Sequence, residues 1–234
     1  MKRSYSRAVA AEFLGTLLLL AAVVGSGIMA ERLAAGNAAI TLLANSIATG
    51  AALIVLISIF TPVSRAHFNP VITMAAVLGN SFKWKEGAGY VLAQTSGAVG
   101  GVAVVHLMFN LPVFALSHHQ RSGGAQVLSE GVATFGLVLA VSACGRLRLS
   151  TAPYLIGAYI ASAYWFTSST SFANPAVTFA RSLTDTFAGI RPSDIMGFWV
   201  GQLVGAAAAL VFERWLFASR EGVASPSAGS AASP

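Results

Sequence analysis

The chain has 234 residues, of which 56% are hydrophobic and only 9% charged, against about 25% charged in a typical soluble domain. That balance excludes a disordered chain and leaves too few charges to cover a soluble globule. The single cysteine, Cys144, excludes a disulfide framework and a cysteine-based metal cluster. The chain therefore reads as an integral membrane protein with room for roughly six or seven spans.

Long runs without Asp, Glu, Lys or Arg mark the spans in chain order. They predict membrane helices near 8–30, 38–60, 87–110, 125–144, 152–169 and 194–217. Lys2, Arg3 and Arg7 before the first run imitate a signal peptide. The run is long for that, and Glu12 interrupts it, so it reads as a first membrane helix. The fifth span is short and is expected to begin earlier than 152. Two further apolar segments, 69–80 and 174–184, each open on Asn-Pro and are too short to cross, so they read as re-entrant pieces. From residue 218 on, the chain is Ser, Ala, Gly and Pro with few charges and reads as a disordered tail. Residues 1–217 are then a single domain, built of repeats over about 8–110 and 125–217.

With six spans, ten of the fourteen Lys and Arg fall on the side that carries both termini. The positive-inside rule puts that side in the cytoplasm, in a plasma or inner membrane. Topology thus accounts for the net charge of +6 without a nucleic-acid partner. The Trp residues and Tyr154 fall near span ends and read mainly as interfacial anchors.

The two halves repeat one pattern. Glu12 in Ala11-Glu12-Phe13-Leu14-Gly15-Thr16 precedes His67-Phe68-Asn69-Pro70-Val71, and Glu130 precedes Phe172-Ala173-Asn174-Pro175-Ala176. Three spans per half is an odd number, so the halves sit inverted across the membrane. Pro suits the first position of a helix, and Asn before it suits the cap. Asn69 and Asn174 should each begin a half-helix whose N-terminus, carrying about half a positive charge, points at the bilayer centre. Two such ends disfavour cations and proton-conducting water chains, while the Asn amides donate to solute oxygens.

These motifs, their spacing and their duplication resemble the major intrinsic protein family, the aquaporins and aquaglyceroporins, over about residues 8–217. The resemblance implies an all-α membrane protein with six transmembrane helices, two re-entrant half-helices and inverted three-helix repeats. It implies homotetramers in the lipid bilayer, one pore per protomer, and passive conduction of small neutral solutes. By position, the pore motifs are Asn69, Pro70, Val71 and Asn174, Pro175, Ala176. Glu12 and Glu130 correspond to the family's loop-bracing carboxylates, and His67 to its cytoplasmic pore histidine. No cofactor, metal site or catalytic residue is implied.

The filter departs from the family. Val177 stands where the family usually has an Arg after the second Asn-Pro-Ala. Counting back from each Asn places the other filter positions at Thr49, Ser162 and Ser171. Arg181, one helical turn on, is expected to fall short of that ring. A ring of Thr49, Ser162, Ser171 and Val177 has neither an aromatic nor a fixed charge, and implies a wide, weakly polar opening for glycerol and other polyols, urea, trihydroxy-metalloids such as arsenite, and water. The alternative has Tyr164, Trp165 or Phe172 narrowing the lumen. Arg65 and Thr170 stand where the family usually has Gly in each loop.

No Ser-His-Asp order, phosphate loop or paired-carboxylate spacing points to an enzyme. The rival from another class is a proton-coupled carrier using Glu12 and Glu130, since intramembrane carboxylates also suit transporters. A junction or scaffold protein ranks third.

Overall fold

The computed structural model describes residues 4–217. The tail expected to be disordered lies outside the described residues. Eight α-helices follow in order: α1 (Tyr5–Leu33), α2 (Ala38–Ser64), α3 (Pro70–Leu78), α4 (Trp84–Met108), α5 (Gly124–Arg146), α6 (Ala152–Phe166), α7 (Pro175–Arg181) and α8 (Ile195–Leu216). Six span the membrane, and α3 and α7 are the short re-entrant half-helices. A 3-10 turn, Pro192–Asp194, leads into α8.

Five of the spanning helices are long and apolar enough to cross a bilayer by themselves. The fifth span, α6, has 15 residues and covers only about 22 Å. It does not begin earlier than 152, because the chain turns at Ser150 and Thr151 and Pro153 sits in its first turn. It stops at Phe166 because Thr167 turns into extended backbone (φ −114°, ψ 139°) that starts the second re-entrant loop.

The helices pair as two equivalent layers: α1 packs on α4 and α2, and α5 packs on α8 and α6. Each tight pair meets through glycines spaced four apart. Gly97 and Gly101 of α4 lie against the Phe13 and Leu17 carbonyls of α1, and Gly201 and Gly205 of α8 against the Val127 and Gly131 carbonyls of α5. A Cβ on Gly101 would stand 2.5 Å from the Leu17 oxygen. Between the halves, Gly50 of α2 faces Gly157 of α6, each close to the other's carbonyl oxygen. Lipid tails provide no hydrophobic drive between helices, so such close approach supplies the packing. Large apolar side chains such as Leu92, Leu128 and Val211 are left on the outside, where lipid meets them.

Loops tie the face opposite the chain ends. The Ala115 and Ser117 amides donate to the Leu183 and Ser182 carbonyls. His118 donates its backbone N–H to Asp185 at 2.8 Å, and its ring lies 3.0 Å from the same carboxyl. These contacts hold the Asp185 carboxyl below the usual carboxylate range.

The glycine contacts predict that Gly101→Val and Gly205→Val each separate a helix pair at a cost of about 3 kcal/mol. Size exclusion in detergent and thermal unfolding check this: both variants should aggregate or melt well below the wild type. A wild-type melting temperature would show that the helices have room to shift.

Candidate functional site

Both re-entrant loops are built the same way. Asn69 and Asn174 each adopt extended backbone and cap the helix that follows, with Pro in its first turn. Asn69 Oδ1 accepts from the Val71 N–H at 2.9 Å, and Asn174 Oδ1 from the Ala176 and Val177 N–H groups at 3.0 and 3.3 Å. The two amides then cross over. Asn69 Nδ2 donates to the Ala173 carbonyl and Asn174 Nδ2 to the Phe68 carbonyl, both at 2.8 Å. An amide has two N–H donors, so each Asn keeps one for the lumen after capping its helix and tying the opposite loop. Val71 and Ala176 are buried where the half-helices meet.

The loop backbones are bent. Arg65, Ala66 and Phe68 have positive φ in the first loop, and Thr170, Ser171 and Ala173 in the second. Such conformations cost non-glycine residues about 1–2 kcal/mol apiece. Arg65 (φ 74°) and Thr170 (φ 60°) stand where the resembled pattern has glycine, which adopts these angles freely. The bends turn successive N–H groups toward one fully buried carboxylate per loop. Glu12 accepts from the Ser64 hydroxyl and the His67 N–H through Oε1, and from the Phe68 N–H and Gln94 amide through Oε2, at 2.6–3.0 Å. Glu130 accepts from the Ser169 hydroxyl and the Phe172 N–H through Oε1, and from the Ala173 N–H and Gln202 amide through Oε2, at 2.6–2.8 Å. Gln94 and Gln202 continue to Thr73 and Thr178 on the half-helices. All four contacts to each carboxylate come from donors.

Ser64, Ser169, Gln94 and Gln202 were not singled out in the sequence. The two serines had a usable signal, since each lies five residues before its Asn, as Thr73 and Thr178 each lie four after.

A cavity of about 1130 Å³ extends from the side of the chain ends to the second re-entrant loop. Near the chain ends it is bordered by Arg65, Asn80, Arg148 and Arg214, in the middle by His67, Asn69 and Asn174, and beyond them by Thr49, Tyr164, Ser171 and Val177. His67 is half-buried, its Nδ1 3.1 Å from the Thr73 hydroxyl. Arg65 borders this vestibule and donates to the Ser81 carbonyl at 2.9 Å.

Three of the four expected filter residues, Thr49, Ser171 and Val177, border the cavity together. Ser162 does not. It is exposed on the outside of α6, and its hydroxyl donates to the Tyr159 carbonyl at 2.7 Å. The pore face of α6 is Ile156, Ile160 and Tyr164, spaced one turn apart, and Ser162 lies about 200° around the helix from Tyr164. Tyr164 occupies the wall instead, its hydroxyl 3.2 Å from that of Thr49. Phe172 borders the cavity too, so the expectation of a wall without aromatics is overturned. Arg181 also borders the cavity.

Residues 1–212 match the family model for the major intrinsic protein. The chain is 54% identical over 211 residues to aquaglyceroporin AqpS of Rhizobium meliloti, covering 90% of each protein. It is 34% identical to aquaporin-5 of Mus musculus, covering 92% of this chain and 83% of that one. Among solved structures, the aquaglyceroporin from Plasmodium falciparum shares the fold, with a TM-score of 0.69 at 22% identity over 91% of this chain and 95% of that one.

The chain belongs to the major intrinsic protein family. It is an integral, multi-pass membrane channel for small solutes, and it passes them without chemical transformation.

Replacing Glu12 or Glu130 with Gln substitutes an N–H₂ for one acceptor oxygen and leaves two loop donors facing another donor. Each stranded donor costs about 1–3 kcal/mol. Both variants should melt several degrees below the wild type and lose flux in proportion. Unchanged melting with unchanged flux would show that the carboxylates are dispensable to the loops.

Proposed function

We propose that this chain is a passive channel for glycerol and other small polyols, urea, trihydroxy-metalloids such as arsenite, and water. The observation that carries this reading is the composition of the outer pore wall. Tyr164 and Phe172 supply an apolar aromatic surface, and Thr49, Ser171 and the two Asn amides supply hydroxyl and N–H partners. A polyol or a trihydroxy-metalloid has the same two sides, carbon or metalloid on one and hydroxyls on the other. Pore diameter and lining donors decide what passes. Val177 leaves more room beside the aromatics than an Arg side chain would. The 54% identity to a protein named as an aquaglyceroporin points the same way.

In this reading Asn69 and Asn174 hand the solute's oxygens across the centre, His67 lines the side nearer the chain ends, and Glu12 and Glu130 brace the loops. Bracing suits the donor-only surroundings of both carboxylates better than proton transfer, which needs a group free to gain and lose its proton. The channel works as a homotetramer in a plasma or inner membrane with both termini cytoplasmic, on the family's pattern and the positive-inside rule.

Swelling of proteoliposomes with water, glycerol and larger polyols tests the proposal. The wild type should pass polyols without saturation and without dependence on an ion gradient, and Val177→Arg should lower the size limit. A saturating, proton-driven flux would overturn the channel reading in favour of a carrier. Identical rates in Val177→Arg would remove residue 177 from the constriction.

A further inference from the structure

Among the described residues Arg181 is the largest fully buried side chain, at 1% exposure, and yet it borders the cavity. Its Nε donates to the Ala188 carbonyl, and its guanidinium carbon lies 3.4 Å from the centre of the Phe172 ring. Its Nη1 is buried and has no hydrogen-bond partner among the described residues, and the neighbouring Ser171 hydroxyl on the same wall has none either. Ion pairs among the described residues involve His118, Arg146 and Arg191, and none involves Arg181.

Arg121 lies over the same Phe172 ring at 5.1 Å, but most of its donors are taken. They go to the Gly189, Ser169 and Phe187 carbonyls and to the Thr170 hydroxyl. The second guanidinium thus fixes the loop, while Arg181 keeps an uncommitted donor and a charge in no direct ion pair, eased only through space by the Glu130 carboxylate.

Helix geometry accounts for the reach. Residues 177 and 181 are one turn apart on α7 and share a face, and helical side chains lean back toward the N-terminus. Arg181 therefore covers the wall beside Val177, whose short side chain leaves that surface open. Phe172 and the Ala188 carbonyl hold the guanidinium there.

We propose that Arg181 is this channel's cation barrier and the donor, with the Ser171 hydroxyl, that docks a passing solute's oxygen, taking a position one turn beyond the residue where the resembled pattern has Arg. An unpaired charge on a low-dielectric wall repels cations far more strongly than it would in water. A neutral solute with acceptor oxygens meets the Nη1 and hydroxyl donors that no protein group occupies.

The inference rests on the channel reading, and its test separates the two. Purified channels in liposomes are measured for sodium conductance and glycerol flux, per folded protein. The wild type should carry glycerol with negligible sodium current. Arg181→Gln still has an amide to offer the Ala188 carbonyl, and should raise the ratio of sodium to glycerol flux about tenfold or more. Arg181→His adds a titratable charge: its sodium current should be low at pH 5.5 and rise by pH 8 in the same protein, a change a merely structural role would not produce. A wild type without polyol flux would defeat the channel reading alone. A wild type that already passes sodium, or a folded Arg181→Gln that excludes it as the wild type does, would overturn the role of Arg181.

Discussion

Two buried carboxylates hold everything else in place. A chain that enters the membrane and turns back exposes N–H and C=O groups where no lipid can satisfy them. Here the turns run through left-handed backbone at six non-glycine residues, a strain of several kcal/mol that a loop sustains only if its surroundings fix it. Glu12 and Glu130 supply the acceptors, and Gln94 and Gln202 tie the same carboxylates to the half-helices. With the N–H groups turned toward the carboxylates, each loop's remaining carbonyls turn the other way. Phe68 and Ala173 present theirs to the opposite Asn.

That crossing makes the two halves one object. Each Asn caps its own half-helix and donates to the other loop, so neither loop can move without disturbing both. The glycine seams do the same at larger scale, bringing α1 to α4 and α5 to α8 within backbone contact. Orientation of a pore amide is thereby set by packing many residues away. It also explains the placement of strain: the least favourable backbone lies where two independent sets of hydrogen bonds converge.

Much of this was legible in the sequence, and the reason is chemical. Asn-Pro has a definite meaning at a helix start, an intramembrane Glu needs donors, and finding both twice makes the inverted arrangement a matter of counting spans. The failures came where counting replaced helix phase. Counting back from Asn174 lands on Ser162, but a helix shows one face to the pore, and the face of α6 that borders the cavity carries Ile156, Ile160 and Tyr164. Arg181 stands one helical turn beyond Val177 in the sequence. A long side chain leaning toward the N-terminus reaches about a turn back along its helix, which is the distance at issue. The carbonyl that holds it, Ala188, and the ring beneath it, Phe172, lie on chain segments that no local pattern connects to residue 181.

The exchange of Val at 177 for a usable Arg at 181 changes the shape of the wall more than its chemistry. An Arg at 177 would project from the first turn of α7 directly over the passage. From 181 the guanidinium carbon sits 3.4 Å from the centre of the Phe172 ring, so it adds a charge and a donor at the wall rather than over the passage. The aromatic Tyr164 then limits the opposite side, held by the Thr49 hydroxyl. Width and charge are set by different residues in such a pore, so each can vary without the other. A channel of this family can therefore widen its opening for bulkier neutral solutes while keeping the positive field that turns cations away.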